Sequence, residues 1–330
     1  MRCVLPSNLT DMSLGEELKA VVYIGQGFVI VLFNVLLMVA IGFHKSIRRR
    51  KEMVPVFSVA LCDCCIGVAF VAAGIYRLDL VLSKRLHATV SSWHCMLTVH
   101  NILWLFSQPT AAAMLVTVSV DRLVACSLPM RYFTLSSAYA YWLVGVTFSI
   151  SIAFGFSGLW TAYRTRELCS ASCYTRLATG DQFYHYYSFV RVICGLLSII
   201  IYVLVMLLYV SHHQKRALRA AKGCQRQLLH RQRRLTTSLG ISCLLTFIFY
   251  VIPHSLVFLQ AATHLLPASA DLSLRGYLFI VVNMHCIFNF AIFATRHPSI
   301  RQALAAVLRC KPLPKNSSLL IRKQTTIASV

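Results

Sequence analysis

The sequence predicts an all-α membrane protein, a bundle of seven transmembrane helices followed by a short amphipathic helix 8. Of its 330 residues, 58% are hydrophobic and only 13% are charged, whereas soluble domains carry about 25% charged residues. The apolar residues gather in seven runs, each long enough to cross about 30 Å of hydrocarbon. These runs cover residues 21–43, 54–77, 93–126, 137–162, 184–210, 235–262 and 273–295. We therefore expect the chain to lie in the lipid bilayer.

The distribution of basic residues predicts the orientation of the bundle. The net charge is +22, but the basic residues form short clusters between apolar runs, so nucleic acid is not an expected partner. With the N-terminus outside, 22 of the 32 Lys and Arg residues fall on the cytoplasmic side. The N-glycosylation sequon Asn8-Leu9-Thr10 agrees with an extracellular N-terminus. We expect a multi-pass protein of the plasma membrane with a cytoplasmic C-terminus.

The segments outside the seven runs are short. The predicted organisation is an extracellular N-terminus (1–20), a seven-transmembrane domain (21–295), helix 8 (296–309) and a cytoplasmic tail (310–330). In helix 8, Ile300, Leu304, Val307 and Leu308 are expected to face lipid. The tail is polar and expected to be disordered. Cys310 is either a palmitoylation site or an ordinary cytosolic cysteine.

The sequence contains no motif of an enzyme or of a resident cofactor. The P-loop, the Gly-x-Ser-x-Gly motif, the His-Glu-x-x-His motif and the histidine boxes of membrane di-iron enzymes are all absent. The thirteen cysteines lack paired CxxC motifs at zinc-ligand spacing, and most lie in apolar runs, where cysteine is usually a small hydrophobe. The sequence therefore predicts neither an enzyme, nor a cofactor, nor a metal site.

The third apolar run ends in the most informative stretch of the chain. From Cys95 to Arg122 there are 27 residues, about 40 Å of helix, which matches a bilayer with its headgroups. Adjacent Asp and Arg residues at such a helix end must pair or reach the interface. The spacing of Asp121-Arg122, Ala125, Pro129 and Tyr132 resembles the third-helix and second-loop signature of rhodopsin-like (class A) G-protein-coupled receptors. Leu123 stands where Tyr is commoner.

The second run carries Asp63, and a carboxylate inside a membrane is a functional candidate by default. Its position resembles the Leu-x-x-x-Asp element of the second receptor helix, where the Asp faces a polar pocket that often binds sodium. His285 and Cys286 stand where small amide or hydroxyl side chains commonly complete that pocket, so His285 could satisfy Asp63 instead.

The resemblance extends to single positions in the other spans. It implies roles in G-protein coupling and activation for Asp121, Arg122, Tyr202 and Asn289. It implies a core polar switch made of Asn34, Asp63, Phe247, Pro253 and His285. Trp142 matches the fourth-span Trp. Departures from the family pattern are Cys194, Val251, Phe290 and Phe293, which stand where Pro, Trp, Pro and Tyr are usual.

The resemblance also implies a ligand pocket in the outer half of the bundle. Its candidate residues are His100, Trp104, Gln108, Arg191, His254, Phe258 and Asn283. Receptors for biogenic amines hold the ammonium with an Asp where this chain has Trp104, which argues against an amine ligand. Arg191 would face spans three and six, where we expect it to bind an anionic group of the ligand, together with His254. The alternative is an Arg191 side chain that snorkels to the headgroups.

On the outer side the resemblance implies a disulfide between Cys95 and the second outer loop. Cys169 and Cys173 both lie in that loop, and the sequence does not choose between them.

Short loops and missing prolines make the chain similar to nematode-type serpentine chemoreceptors. The resemblance implies a chemosensory receptor that binds an extracellular ligand and activates a heterotrimeric G protein. Ligand would favour the state in which span six swings outward and Arg122 leaves Asp121, and a helical loop 3 (Ser211 to Arg234) would contact the G protein. The alternatives are a neuropeptide receptor of the same fold and a small transporter, which would show an inverted repeat that this sequence lacks.

Overall fold

The computed structural model describes residues 9–85, 88–165, 167–217, 241, 244–263, 268–296 and 298–309. Helices account for nearly all of these residues and form the transmembrane bundle that the apolar runs predict. Three features of the sequence analysis lie outside the described residues: the sequon at Asn8, residues 218–240 of loop 3, and the tail from Cys310.

Six long helices and several short ones follow one another along the chain. In order, the elements are α1 (Leu9–Phe43), α2 (Lys45–Arg48), α3 (Met53–Leu82), β1 (Thr89–Ser91), α4 (Ser92–Met96), α5 (Val99–Ser127), α6 (Pro129–Thr134), α7 (Ser137–Thr165), β2 (Leu168–Ser170), α8 (Thr175–Thr179), α9 (Asp181–Ala217), a π-helical turn (Phe247–Val251), α10 (Ile252–Thr263), α11 (Ala268–Arg296) and α12 (Pro298–Leu308).

The described helices account for the predicted membrane spans. α1, α3, α5, α7, α9 and α11 each contain a segment long and apolar enough to cross a bilayer. The sixth predicted span is represented by Leu244–Gln260, an apolar helical segment that includes the π-helical turn. These helices belong to the seven-helix fold that the sequence predicts.

Two helix boundaries differ from the apolar runs. α1 begins at Leu9 rather than at residue 21, because residues 9–20 are rich in helix-forming Leu, Met, Glu, Lys and Ala although they are partly polar. The third run is divided, since Thr98 takes an extended conformation (φ −64°, ψ 142°) between α4 and α5. Helix propensity and backbone geometry determine where each helix begins and ends. The hydropathy pattern indicates only the segment of the helix that lies in the membrane.

α1 and α3 approach each other closely through glycine. A Cβ atom on Gly27 would lie 2.6 Å from the carbonyl oxygen of Gly67, and one on Gly67 would lie 2.9 Å from Cγ2 of Ile30. Small residues permit such backbone contact between helices in a membrane, where packing rather than the hydrophobic effect drives association. This contact aligns the two helices beneath the aromatic core that contains Tyr23 and Phe70.

A small two-stranded sheet lies at one end of the bundle. β1 and β2 are antiparallel, with Val90 opposite Cys169. Tyr76 at the end of α3 donates a hydrogen bond to the carbonyl oxygen of Ala171 (3.0 Å). The loops are therefore fastened to both α3 and the sheet, an arrangement that the sequence analysis did not predict.

The same end of the bundle holds a disulfide between Cys95 and Cys173, which selects one of the two pairings left open by the sequence. Asn101 at the start of α5 donates from Nδ2 to the carbonyl oxygens of both cysteines, each at 2.9 Å. Cys169 remains outside the bond, with its Sγ 3.5 Å from Sγ of Cys95. We call this the disulfide end, and the opposite end, where α5 finishes, the Arg122 end.

α12 corrects the expectation for helix 8. Ile300 and Leu304 are buried against Leu37 and neighbouring residues of α1, so they do not face lipid as predicted. Only Leu308 of the four apolar residues is largely exposed, at 69%. Lipid tails and protein interiors are equally apolar, so an amphipathic pattern cannot distinguish between them.

The disulfide leads to a prediction at two neighbouring cysteines. Cys173→Ser should lower the free energy of unfolding by about 2–5 kcal/mol and reduce surface expression, because the bond closes a long loop. Cys169→Ser is the matched control and should change either quantity little. Thermal unfolding and mapping of non-reduced peptides are the measurements. A peptide joining Cys95 to Cys169 in the native protein would contradict the assignment.

Candidate functional site

Four polar side chains meet between α5, α9, α10 and α11, in the half of the bundle nearer the disulfide end. Arg191 donates from Nη2 to Oε1 of Gln108 (2.9 Å) and lies 2.5 Å from Nε2 of His254. Gln108 donates in turn from Nε2 to Oδ1 of Asn283 (3.1 Å). Arginine has no acceptor atom, so Nε2 of His254 must accept this bond. We call these four residues the polar chain.

Arg191 lies inside the bundle, not at its surface. Its exposed fraction is 4%, and its guanidinium lies 5.1 Å from the ring centroid of Tyr187. A side chain that snorkelled to the headgroups would be exposed and would not bond to Gln108. Its hydrogen bonds and its ring contact are to neutral groups, and its Nε has no hydrogen-bond partner among the described residues.

An aromatic cluster packs beside the polar chain. The Trp104 ring packs against Phe70, Phe279 and His100, with centroid separations of 5.5, 5.0 and 5.5 Å. Trp104 lies one helical turn before Gln108 on α5, so both side chains are on the same face. The indole Nε1 of Trp104 is buried and has no hydrogen-bond partner among the described residues. We call Phe70, His100, Trp104 and Phe279 the aromatic wall.

The structure therefore brings six of the seven predicted pocket residues into two neighbouring groups. Arg191, His254, Gln108 and Asn283 form the polar chain, while Trp104 and His100 belong to the aromatic wall. Phe258 is only partly buried and pairs with Phe189 of α9 (6.0 Å between centroids). It belongs to neither group.

A second polar group lies deeper in the bundle, between α3 and α11. Asn289 donates from Nδ2 to Oδ2 of Asp63 (3.2 Å). The ligand atoms of Asp63, His285 and Cys286 lie within 4.8 Å of one another, and all three residues are buried. We call these four residues the Asp63 cluster. The sequence analysis placed Asp63 with His285, while the contact with Asn289 across 226 positions of sequence was not predicted.

Three residues of the predicted core switch, Asn34, Phe247 and Pro253, are not in this cluster. Asn34 is buried, but its Nδ2 donates to the carbonyl oxygen of Ile30 in its own helix (2.9 Å). Phe247 is 42% exposed, so its expected position in the core is corrected to the outer surface of the bundle. Tyr250, three residues later, is fully buried instead.

The π-helical turn explains this change. It spans Phe247–Val251 and ends two residues before the buried Pro253. Proline lacks the N–H that would continue the helical ladder, and π-turns are wider than α-turns. The turn directs Tyr250 between the two polar groups, with its ring 4.5 Å from that of His254 and 5.0 Å from that of His285.

The Arg122 end contains an ion pair supported by a tyrosine. Nε of Arg122 lies 3.8 Å from Oδ2 of Asp121. Tyr132 of α6 donates to both carboxylate oxygens of Asp121 (3.2 and 3.4 Å). Burial, reinforced by the Asp121 charge, raises the pKa of the Tyr132 phenol, so this group stays protonated and able to donate. Lys51 binds the carbonyl oxygens of Tyr132 and Leu135, which fixes α6 in place.

The remaining family-matched residues differ in their surroundings. Tyr202 is buried on α9, at 8% exposure, as a residue of the bundle interior. Trp142 is 75% exposed on α7 and therefore lies on the outer surface of the bundle.

Sequence reasoning missed a buried cation near the disulfide end. The predicted second span ended at Arg77, but α3 continues to Leu82 and buries Arg77 to 2% exposure. Its guanidinium lies 4.1 Å from the ring centroid of Tyr174 and 5.2 Å from that of Tyr23. Tyr174 donates to Glu16 (3.0 Å), and burial raises the pKa of its phenol, which keeps it protonated. This group connects α1, α3 and the second loop.

The polar chain predicts a difference between two adjacent substitutions on α5. Gln108→Leu should destabilise the protein by about 1–3 kcal/mol, because it leaves buried atoms of Arg191 and Asn283 without a partner. Ser107→Ala is the matched control and should be neutral or stabilising, since the buried Ser107 Oγ has no hydrogen-bond partner in the part of the chain that the structure describes. Thermal unfolding of the purified proteins measures both effects. If both substitutions lowered the stability equally, the hydrogen bonds of the polar chain would contribute nothing specific to it.

Comparison with known families gives a match over most of the chain. The model described as "Serpentine type 7TM GPCR chemoreceptor Srsx" matches residues 28–308. A search of the curated proteins gives no match. The matched region contains the polar chain, the Asp63 cluster and the Asp121–Arg122 pair, in a helical bundle of the kind that this family forms. The chain belongs to the Srsx family of serpentine seven-transmembrane G-protein-coupled chemoreceptors.

Proposed function

We propose that this chemoreceptor binds an extracellular ligand that carries an anionic group and, in response, activates a heterotrimeric G protein. The disulfide end would face the outside, and the Arg122 end the cytoplasm, in the plasma membrane. Support for this orientation comes from the sequence, since it would put 22 of the 32 Lys and Arg residues in cytoplasmic loops and the C-terminal region. Residues 1–20 would then be extracellular, and residues 296–330 cytoplasmic.

The observation that carries the ligand proposal is the buried guanidinium of Arg191. It is 4% exposed, and its bonds are to the neutral Gln108 and His254, with Nε still available. A buried cation is costly to maintain unless it is paired. A carboxylate or phosphate group of the ligand would supply the missing charge and accept two parallel bonds from the planar fork of arginine.

The aromatic wall supports a ligand with an apolar body. Trp104, Phe70 and Phe279 make an apolar, aromatic environment beside the polar chain. Nε1 of Trp104, which has no partner within the described ranges, adds a single donor for an acceptor on the ligand. A biogenic amine fits poorly, because its ammonium would meet Arg191 with the same charge. Small aromatic or aliphatic acids match this chemistry best, and a peptide could present the same group as its C-terminal carboxylate.

Transmission toward the G protein would pass through the π-helical turn. Tyr250 packs against His254 of the polar chain and His285 of the Asp63 cluster. A ligand that draws Arg191 away from His254 changes the surroundings of Tyr250 and thereby the balance between two positions of this helix. Such a shift would separate Arg122 from Asp121 and free its guanidinium for the G protein. Loop 3 would provide a further contact surface for the G protein.

The signalling role of Arg122 predicts a loss of function without a loss of folding. Arg122→Ala should reach the membrane and bind ligand but give at most about one-tenth of the wild-type GTP exchange, because the contact with the G protein is made only in the active state. Arg131→Ala is the control, since Arg131 is an exposed basic residue at the same end of the bundle. Nucleotide exchange on added G protein is the measurement. Normal signalling by Arg122→Ala would contradict the proposal.

The role of Arg191 predicts that lysine cannot replace it. Arg191→Lys and Arg191→Ala should both raise the half-maximal agonist concentration by about 10–100-fold, since a charged hydrogen bond is worth about 1.5–3 kcal/mol and each 1.4 kcal/mol is tenfold. Arg164→Ala is the control, because Arg164 is an exposed arginine at the disulfide end.

The agonist for this test comes from a screen of organic acids, each paired with its methyl ester, and of peptides, each paired with its C-terminal amide. An active acid with an inactive ester supports the anionic ligand, and the peptide pairs distinguish the two sources of carboxylate. If both Arg191 variants respond like the wild type after correction for surface expression, the anionic contact is wrong.

A further inference from the structure

The Asp63 cluster combines three kinds of metal-ligand atom in one buried place. A carboxylate oxygen of Asp63, an imidazole nitrogen of His285 and the Sγ of Cys286 lie within 4.8 Å of one another. None of the three residues is more than 3% exposed. The family resemblance placed the three residues in one polar pocket, but spacing along the chain does not give their distances, because Asp63 lies on α3 and the other two lie on α11.

The hydrogen bonds of His285 leave the correct nitrogen available for a metal. Nδ1 lies 2.7 Å from the carbonyl oxygen of Val282. A carbonyl oxygen can only accept, so Nδ1 carries the proton, and neutral His285 then has its lone pair on Nε2. Metal-binding histidines usually donate their other N–H to a carbonyl or carboxylate in this way, which orients the ring and raises the basicity of the ligand nitrogen.

The distances are close to those of a tetrahedral zinc site. Zn–S bonds of about 2.3 Å and Zn–N bonds of about 2.0–2.1 Å place two tetrahedral ligands about 3.6 Å apart. Sγ of Cys286 lies 3.7 Å from Nε2 of His285. Asp63 must approach by about 1 Å, since ligand atoms of a zinc site lie about 3.3–3.7 Å apart. This movement is within reach of a side-chain rotation.

The carboxylate of Asp63 is held by one hydrogen bond and has a second oxygen that can bind a ligand. Asn289 holds Oδ2 at 3.2 Å, whereas Oδ1 is buried without a hydrogen-bond partner among the described residues. A buried acceptor that lacks a partner is costly, and Asn289 would serve as the outer support that fixes the carboxylate. A cation between Oδ1, Nε2 and Sγ would satisfy all three groups at once.

The chemistry of the donors selects the class of ion. Hard cations take oxygen ligands, but two of the three donors here are nitrogen and sulfur. Imidazole and thiolate ligands favour Zn²⁺ and related transition metals. We propose that Asp63, His285 and Cys286 form a transition-metal site inside the bundle, with Zn²⁺ as the best-fitting ion and a fourth position left for water.

Such a site has a mechanical effect that is separate from ligand binding and G-protein coupling. The ion would join α3 to α11 and draw Asp63 toward His285. Zn²⁺ would therefore stabilise the folded bundle, because a ligand that binds only the native state raises its stability.

The test uses the purified full-length receptor and Zn²⁺ itself. After dialysis against a weak chelator, elemental analysis should find one zinc per chain, and added Zn²⁺ should raise the melting temperature. Replacement by Co²⁺ should give the intense absorption of a tetrahedral cobalt–thiolate centre, which requires a cysteine ligand. No retained metal and no cobalt–thiolate absorption in the wild-type protein would overturn the proposal.

Substitutions test whether the ion binds to the Asp63 cluster. Cys286→Ser and His285→Gln should each lower zinc affinity by at least about tenfold, since even outer-shell substitutions cost about 10–100-fold. Cys65→Ala is the matched control, because Cys65 is a half-buried cysteine on α3 about half a turn from Asp63. If Cys286→Ser does not fold, the cobalt spectrum of the wild type and of Asp63→Asn decides the matter. Zinc binding that is unchanged by all three cluster substitutions would show an adventitious ion only.

Discussion

Polar side chains inside an apolar bundle must find their partners within the protein, and this constraint organises the structure. No water in the hydrocarbon region can compensate a buried guanidinium or carboxylate. Arg191 is therefore bonded to residues of two other helices, and Asp63 to a residue of α11. A rotation or slide of any of these helices would break a buried polar contact. The same groups that limit the arrangement of the bundle are also the ones with chemistry to offer a ligand.

Much of the fold could be predicted from the sequence, because hydropathy reports directly which segments lie in lipid. The Asp121–Arg122 pair was also predictable, since the two residues are adjacent and lie at the end of a membrane-length run. Arg77 was not predictable, because the apolar run stops there although α3 continues. The packing of Ile300 on α1 was missed for a different reason: lipid and protein interiors select the same apolar side chains.

The side-chain contacts within the candidate sites could not be predicted from the sequence. The polar chain joins residues 108, 191, 254 and 283, whose contacts depend on how four helices face one another. Family resemblance named these residues but not their bonds. The interior of the bundle contains Tyr250 and not Phe247, and this difference depends on a local change from α-helix to π-helix. Neither hydropathy nor residue spacing carries that information, because a π-turn alters the register by one residue without altering composition.

The π-helical turn also determines what kind of motion this helix can make. An α-helix advances 1.5 Å and turns about 100° per residue, and a π-turn holds one residue more than an α-turn. If the hydrogen bonds of Phe247–Val251 changed to the α pattern, the part of the helix before the turn would rotate by about 100° and shift by about 1.5 Å relative to α10. Such a rotation would change which side chains at the start of this helix contact the neighbouring helices. A change of hydrogen-bond pattern at Phe247–Val251 would therefore rotate this helix about its own axis, a different motion from a bend at a proline.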